Sequence, residues 1–247
     1  MKQPVVDASN IAKFLGSGAG RVEALKGVSL ALSGGELTLL MGPSGSGKTT
    51  LLSILGCMLT PTRGTIRVRG HVTQGLGPED LAKLRRDHIG FIFQSYHLFP
   101  TLTAAENVRL VFDVRGERSR RAVTKAMEAL AIVGLAHKTK SYPIELSGGE
   151  QQRVAIARAI AGNACAILAD EPTAALDSEN GHAIMTILAD IAKDPSRAVL
   201  VVSHDPRILP FADRVVRIED GLIVGEEKRS AGGHGKSEVK LAFHVQH

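Results

Sequence analysis

The sequence predicts an α/β fold, with a parallel sheet covered by helices on both faces. Three observations carry this. Cys165–Ala169 and Ala198–Val202 are short runs that are apolar at every position, and a helical stretch lies between them. Strands buried on both faces read this way, because water reaches neither side of the sheet. Leu37–Met41 runs straight into a glycine-rich loop and then a helix. From about 103 to 162 the pattern changes, and apolar residues recur at three and four, as in AVTKAMEALAIVGL at 122–135. That period belongs to an amphipathic helix and marks a helical subdomain.

The elements follow in order. Residues 28–41, VSLALSGGELTLLM, read as two strands about the turn Ser33-Gly34-Gly35. A helix is expected over Thr49–Met58, then a turn and a short alternating strand in PTRGTIRVRG at 61–70. A short charged helix at 79–88 and a buried strand at Ile89–Phe93 come next. Gly134 and Pro143 punctuate the helical subdomain. Ala183–Ala192 reads as a helix, and Val215–Ile218 with Gly221–Val224 as a hairpin about Glu-Asp-Gly. After Gly225 the chain turns polar and glycine-rich, so 226–247 is expected to be a flexible tail, its final LAFHVQH unassigned. The main domain is thus 1–225, and no internal repeat is visible.

Composition sets outer bounds. The 247 residues are 44% hydrophobic and 22% charged, ordinary for a globular protein with an aliphatic core, since Trp is absent. The net charge of +5 fits a phosphate-rich ligand, nucleic acid or an anionic membrane surface without choosing among them. Cys57 and Cys165 lack metal-like spacing and read as two buried free thiols. MKQPVVDASN carries no apolar signal region, and no apolar run approaches the roughly 20 residues of a membrane span.

Four strand ends carry candidate chemistry. GPSGSGKT, Gly42-Pro43-Ser44-Gly45-Ser46-Gly47-Lys48-Thr49, followed by Thr50, matches the phosphate-loop pattern between a strand and a helix. Its glycines let backbone N–H groups converge on phosphate oxygens, and the helix start adds positive dipole. Lys48 supplies a point charge for the β- and γ-phosphates, and the Thr49 hydroxyl is a candidate Mg²⁺ ligand. In CAILADE, Asp170 would hold Mg²⁺ directly or through water, and Glu171 could polarise an attacking water. His204 follows AVLVVS and can donate a hydrogen bond to a γ-phosphate. Gln94 follows IGFIF, and its amide can bind Mg²⁺ or position water.

A fifth motif stands apart. In LSGGEQQRVAIARAI, Ser147 and Glu150 have the spacing of a capping box. Gly148 and Gly149 between them are poor helix formers, which implies a close approach to the backbone. The helix start suits an anion. A second such site is redundant within one chain but useful if it faces the nucleotide of another copy.

Together these motifs resemble the nucleotide-binding subunit of ABC transporters over residues 5–225. GPSGSGKT resembles the Walker A motif, Gln94 the Q-loop, LSGGEQ the signature, and CAILADE the Walker B strand with its catalytic Glu. AALD, ending at Asp177, resembles the D-loop and His204 the H-loop. The resemblance implies a RecA-like P-loop NTPase core, an antiparallel β subdomain and an inserted α-helical subdomain at about 95–162. It implies ATP and Mg²⁺, and a head-to-tail homodimer in which Ser147, Gly148 and Gly149 reach the γ-phosphate in trans, Asp177 supporting the contact. It also implies an integral membrane permease partner, a cytoplasmic position at the inner face of the membrane, and no nucleic acid. Stretches such as EPTAALD are similar to the lipoprotein-release and macrolide-export type. A soluble ABC-type ATPase acting on nucleic acid or ribosomes is the alternative, although it usually carries insertions or tandem domains. Relatives stack an aromatic residue on adenine; the matching position here is Leu15, with Phe14 beside it, and a one-residue shift would restore stacking by Phe14, whereas without it adenine would meet an aliphatic surface. The family places a docking groove for the partner just after Gln94, where Tyr96, Leu98 and Phe99 lie.

Overall fold

The computed structural model describes residues 3–229 and 238–240. The chain begins with two antiparallel strands, β1 (Val6–Leu15) and β2 (Val22–Leu32). It continues through β3 (Glu36–Met41), α1 (Lys48–Leu55), β4 (Arg63–Val68), β5 (His71–Val72), α2 (Pro78–His88) and β6 (Ile89–Ile92). Three helices follow, α3 (Ala104–Asp113), α4 (Arg120–Ile132) and α5 (Gly148–Ile160). Then come β7 (Ala166–Asp170), α6 (Ser178–Ala192), β8 (Ala198–Ser203), β9 (Arg214–Glu219), β10 (Leu222–Lys228) and β11 (Glu238–Lys240).

The strands form two sheets. One has the order β2-β1-β4-β5 and is antiparallel. The other has the order β11-β10-β9-β3-β8-β7-β6, parallel from β9 to β6. Because strand side chains alternate, each apolar strand feeds two cores. Leu39, Ile167 and Val201 face the core made with α3–α6, which includes the fully buried Phe112. Leu40, Leu168 and Leu200 face the opposite core, made with α1 and the antiparallel sheet. This explains why β7 and β8 are apolar at every position. One buried cation belongs to the sheet itself: Arg214 lies 2.7 Å from Glu36 and 3.2 Å from Glu226, joining β3, β9 and β10.

Several expectations need correction. The strand β1 was not visible in the sequence, because bulges interrupt its alternation and Asn10 sits at φ +54°. The first helix starts at Lys48, not Thr49, and ends at Leu55, not Met58, with Cys57 turned to φ +55° just beyond it. Asp177 caps α6, so that helix starts at Ser178, well before Ala183. Within the expected tail from 226, Glu226–Lys228 prolong β10 and Glu238–Lys240 pair with it. The rest of that expectation, including LAFHVQH, lies outside the described residues. Cys57 and Cys165 are free and buried, and burial pushes the Cys57 thiol up to about 11.

Candidate active site

The parallel register brings four strand ends to one edge. Met41 pairs with Ser203, Asp170 with Val202, and Ile92 with Ala169. The loop Gly42–Gly47, the Asp170-Glu171 pair, His204 and Gln94 therefore leave the sheet side by side.

The phosphate loop needs its glycines. Gly45 and Gly47 have φ of +79° and +100°, where a side chain would be strained. A Cβ on Gly42 would lie 2.0 Å from the Ile218 carbonyl oxygen. Lys48 is buried, and its Nζ donates to the carbonyls of Gly42 (2.8 Å) and Pro43 (2.7 Å). The ammonium thus braces the loop from inside. Pro43, Ser44 and Thr49 are exposed, while Ser46 is buried and its Oγ has no partner. Thr50 is half-buried on the first turn of α1.

Asp170 ends β7 half-buried. Burial, and then the neighbouring Glu171, push its carboxyl above the ordinary range, opposed by the Thr49 hydroxyl and Lys48. Its Oδ1 is buried and has no hydrogen-bond partner. A divalent cation answers both features, being drawn to an unpaired carboxylate oxygen beside a hydroxyl. The donor set therefore fits Mg²⁺.

Glu171 occupies a left-handed conformation, φ +46°, which is uncommon without glycine. Its N–H donates to the Val202 carbonyl at 2.9 Å. Ser203 Oγ donates to Oε2 at 3.0 Å, and His204 Nδ1 lies 2.7 Å from Oε1. Sequence reasoning placed His204 on a phosphate and gave Ser203 no part; the structure sets both on Glu171. A hydroxyl at the end of an apolar strand was the available signal. Gln94 is exposed, two residues past β6.

The signature helix starts as the spacing implied. Glu150 N–H donates to Ser147 Oγ at 3.2 Å, and Ser147 N–H to Glu150 Oε2 at 2.8 Å. Ser147 is exposed. The two glycines are needed within the chain: a Cβ on Gly148 would lie 3.0 Å from the Tyr96 hydroxyl, and one on Gly149 2.4 Å from Asn180 Oδ1. Asp177 caps α6, both of its oxygens accepting from Asn180. Asn180 was missed by sequence reasoning.

Phe14 is half-buried on β1, and the Arg21 guanidinium carbon stands 4.1 Å from its ring centroid. Leu15 beside it is 40% exposed. Of the three groove candidates, Leu98 packs on the helical core and Tyr96 turns to Gly148. Phe99 is exposed and lines a cavity of about 390 Å³ with Phe91, Phe93, Arg115 and Arg158.

A glycine-rich phosphate loop, an acidic strand end and a carboxylate held by a hydroxyl and an imidazole define an α/β ATPase with a RecA-like P-loop core. The model of the ABC transporter family matches residues 25–174, and the chain belongs to that family as an ATPase. It is 45% identical over 242 residues to the macrolide export ATP-binding/permease protein MacB of Salmonella choleraesuis (strain SC-B67), covering 96% of this chain and 37% of that one. The MacB of Escherichia coli (strain K12) is 45% identical over 221 residues, 90% of this chain and 34% of its own length. The chain thus spans about a third of these relatives. The dimeric cassette MJ0796, in a post-hydrolysis state bound to ADP and Pi, superposes with a TM-score of 0.82 at 43% identity, covering 90% of this chain and 98% of that one. Among the described residues, no helix is long and apolar enough to cross a membrane.

Proposed function

We propose that two copies of this chain close head to tail over two ATP molecules and drive a membrane permease of the export type. The observation that carries the hydrolytic part is Glu171, both of whose oxygens are engaged at the edge that bears the phosphate loop. In this reading the 42–49 loop and Lys48 hold the phosphates, with Ser44 and Thr50 beside them. Thr49 and Asp170 hold Mg²⁺, with Gln94 nearby. Bound Mg²⁺ would neutralise charge on the phosphate oxygens. Glu171 orients the attacking water and accepts its proton. His204 fixes the carboxylate and is placed to donate to the γ-phosphate. Ser147, Gly148 and Gly149 of the second copy complete the pocket, and Asp177 holds the segment that faces it.

The dimeric MJ0796 cassette supports assembly as a dimer. The MacB relatives, named ATP-binding/permease proteins, support a membrane partner and hence a cytoplasmic position against the membrane. Phe99 is the exposed member of the candidate docking set, and Phe99→Asp should uncouple the partner while sparing ATP binding. The central test is Glu171→Gln. ATP binding should persist, turnover should nearly stop, and an ATP-bound dimer should accumulate in size-exclusion chromatography. Near-normal turnover would remove Glu171 from this role.

A further inference from the structure

The chain around Asp177 is gripped at two points by residues 202–207. The first point is Glu171, whose N–H donates to the Val202 carbonyl and whose carboxylate meets Ser203 and His204. The second is Ser178, whose Oγ accepts from Arg207 Nη1 at 2.8 Å. The Arg207 guanidinium is itself held in place by Asp205. Its Nε stands 3.0 Å from Oδ1 and 2.9 Å from Oδ2, and its Nη2 lies 2.8 Å from Oδ2. A fork of this kind fixes direction as well as distance. Asp205 also accepts from the Arg207 N–H at 2.9 Å, and its own N–H donates to Ser203 Oγ at 3.1 Å. Hydrogen bonding from the Arg207 side chain holds the Asp205 carboxyl below its ordinary range, so it stays charged. An unbroken line of contacts thus runs from Glu171 through Ser203, Asp205 and Arg207 to Ser178.

We propose that Arg207 is a positioning residue for ATP hydrolysis: it ties the start of α6 to the Ser203–Asp205 turn, so that Glu171 and the segment bearing Asp177 keep one mutual geometry. The inference rests on the reading of Glu171 as the carboxylate that orients water. Residues 172–177 form turns without a strand or helix, so their shape depends on what holds their two ends. Glu171 is the end held by the β8 strand end, and Ser178 is the end held by Arg207. Folding stability is not what this contact supplies. Arg207 and Ser178 are exposed, and exposed pairs gain little against water and side-chain entropy. The same two elements also meet elsewhere: the Phe211 ring stands edge-on to His182 on α6, with centroids 5.0 Å apart. Losing Arg207 therefore leaves the elements packed and frees only the loop between Glu171 and α6.

Steady-state ATP hydrolysis by the full chain, with thermal unfolding alongside, tests this. Arg207→Ala should lower kcat about tenfold while KM for ATP stays within about twofold, because alignment is lost and ground-state binding is not. Its Tm should stay within about 3 °C of the natural chain, as befits an exposed ion pair. Ser178→Ala should lower kcat by removing the far end of the tie. The double variant Arg207→Ala/Ser178→Ala should be no slower than Arg207→Ala, since both changes break one connection. Unchanged kcat in Arg207→Ala would overturn the proposal. Losses that multiply in the double variant would also overturn it, as would a loss of rate that follows a large fall in Tm. The Glu171 reading fails separately, on near-normal turnover by Glu171→Gln.

Discussion

His204 Nδ1 lies 2.7 Å from Glu171 Oε1, and Ser203 Oγ lies 3.0 Å from the other oxygen of the same carboxylate. Glu171 is therefore held in one rotamer by two groups on the neighbouring strand end. The hold matters because Glu171 sits at φ +46°, where nothing in its own backbone preference keeps it. His204→Ala should lower the rate of ATP hydrolysis roughly a hundredfold, within the range of positioned acid–base groups. Ser203→Ala should cost about tenfold, since one holder remains. Steady-state phosphate release measures both. Equal and small losses would mean that Glu171 needs neither partner.

Asp170 gives a pH prediction with a definite sign. Burial and Glu171 raise its folded pKa above the unfolded value. Stability from this group is fully present below the unfolded pKa and is lost as pH rises through the folded pKa. Without nucleotide or Mg²⁺ at pH 7, Asp170→Asn should therefore raise Tm, by about 2–4 °C for roughly 1 kcal/mol. Near pH 3 the gain should vanish. The same variant should lose Mg²⁺-dependent hydrolysis. Thermal unfolding at the two pH values, followed by an ATPase assay, checks the trade between stability and function.

Gly149 ties the signature helix to the segment after Glu171. A Cβ there would stand 2.4 Å from Asn180 Oδ1, and Asn180 Nδ2 donates to Asp177 Oδ2 at 2.7 Å. Gly149→Ala should push Asn180 off Asp177 and loosen the start of α6. Hydrolysis should fall more than about tenfold with ATP affinity little changed, the pattern of a lost closed-state interaction. Gly149→Ala combined with Asn180→Ser should recover part of the rate by making room. No recovery would place the defect at the Gly149 backbone itself instead.

The parallel core was legible because β7 and β8 are apolar at every position, a pattern that leaves few alternatives. The phosphate loop and the capping box at Ser147 were legible because their chemistry is local. The strand β1 was not, since Ser9-Asn10 and the bulges around Ile11 break its period. The contacts of Glu171 with Ser203 and His204 were not legible either. They join residues 32 and 33 positions apart, and only the β7–β8 register brings them together. Arg21 over Phe14 depends likewise on the pairing of β1 with β2, which no single stretch reports.

Lys48 links loop stability to ligand response. Its ammonium donates to the carbonyls of Gly42 and Pro43, so the loop is braced before any phosphate arrives. Arriving phosphate oxygens offer the ammonium charged acceptors, which bind it more strongly than neutral carbonyls. Lys48→Met keeps the apolar stem and removes the charge. The unliganded variant should melt a few degrees lower, because the two loop carbonyls lose the donor that braces them. ATP should raise the Tm of the natural chain, as a ligand of the folded state must, and should leave that of Lys48→Met nearly unmoved. A lower melting point with the full ATP-induced rise retained would show that Lys48 supports the loop without binding phosphate.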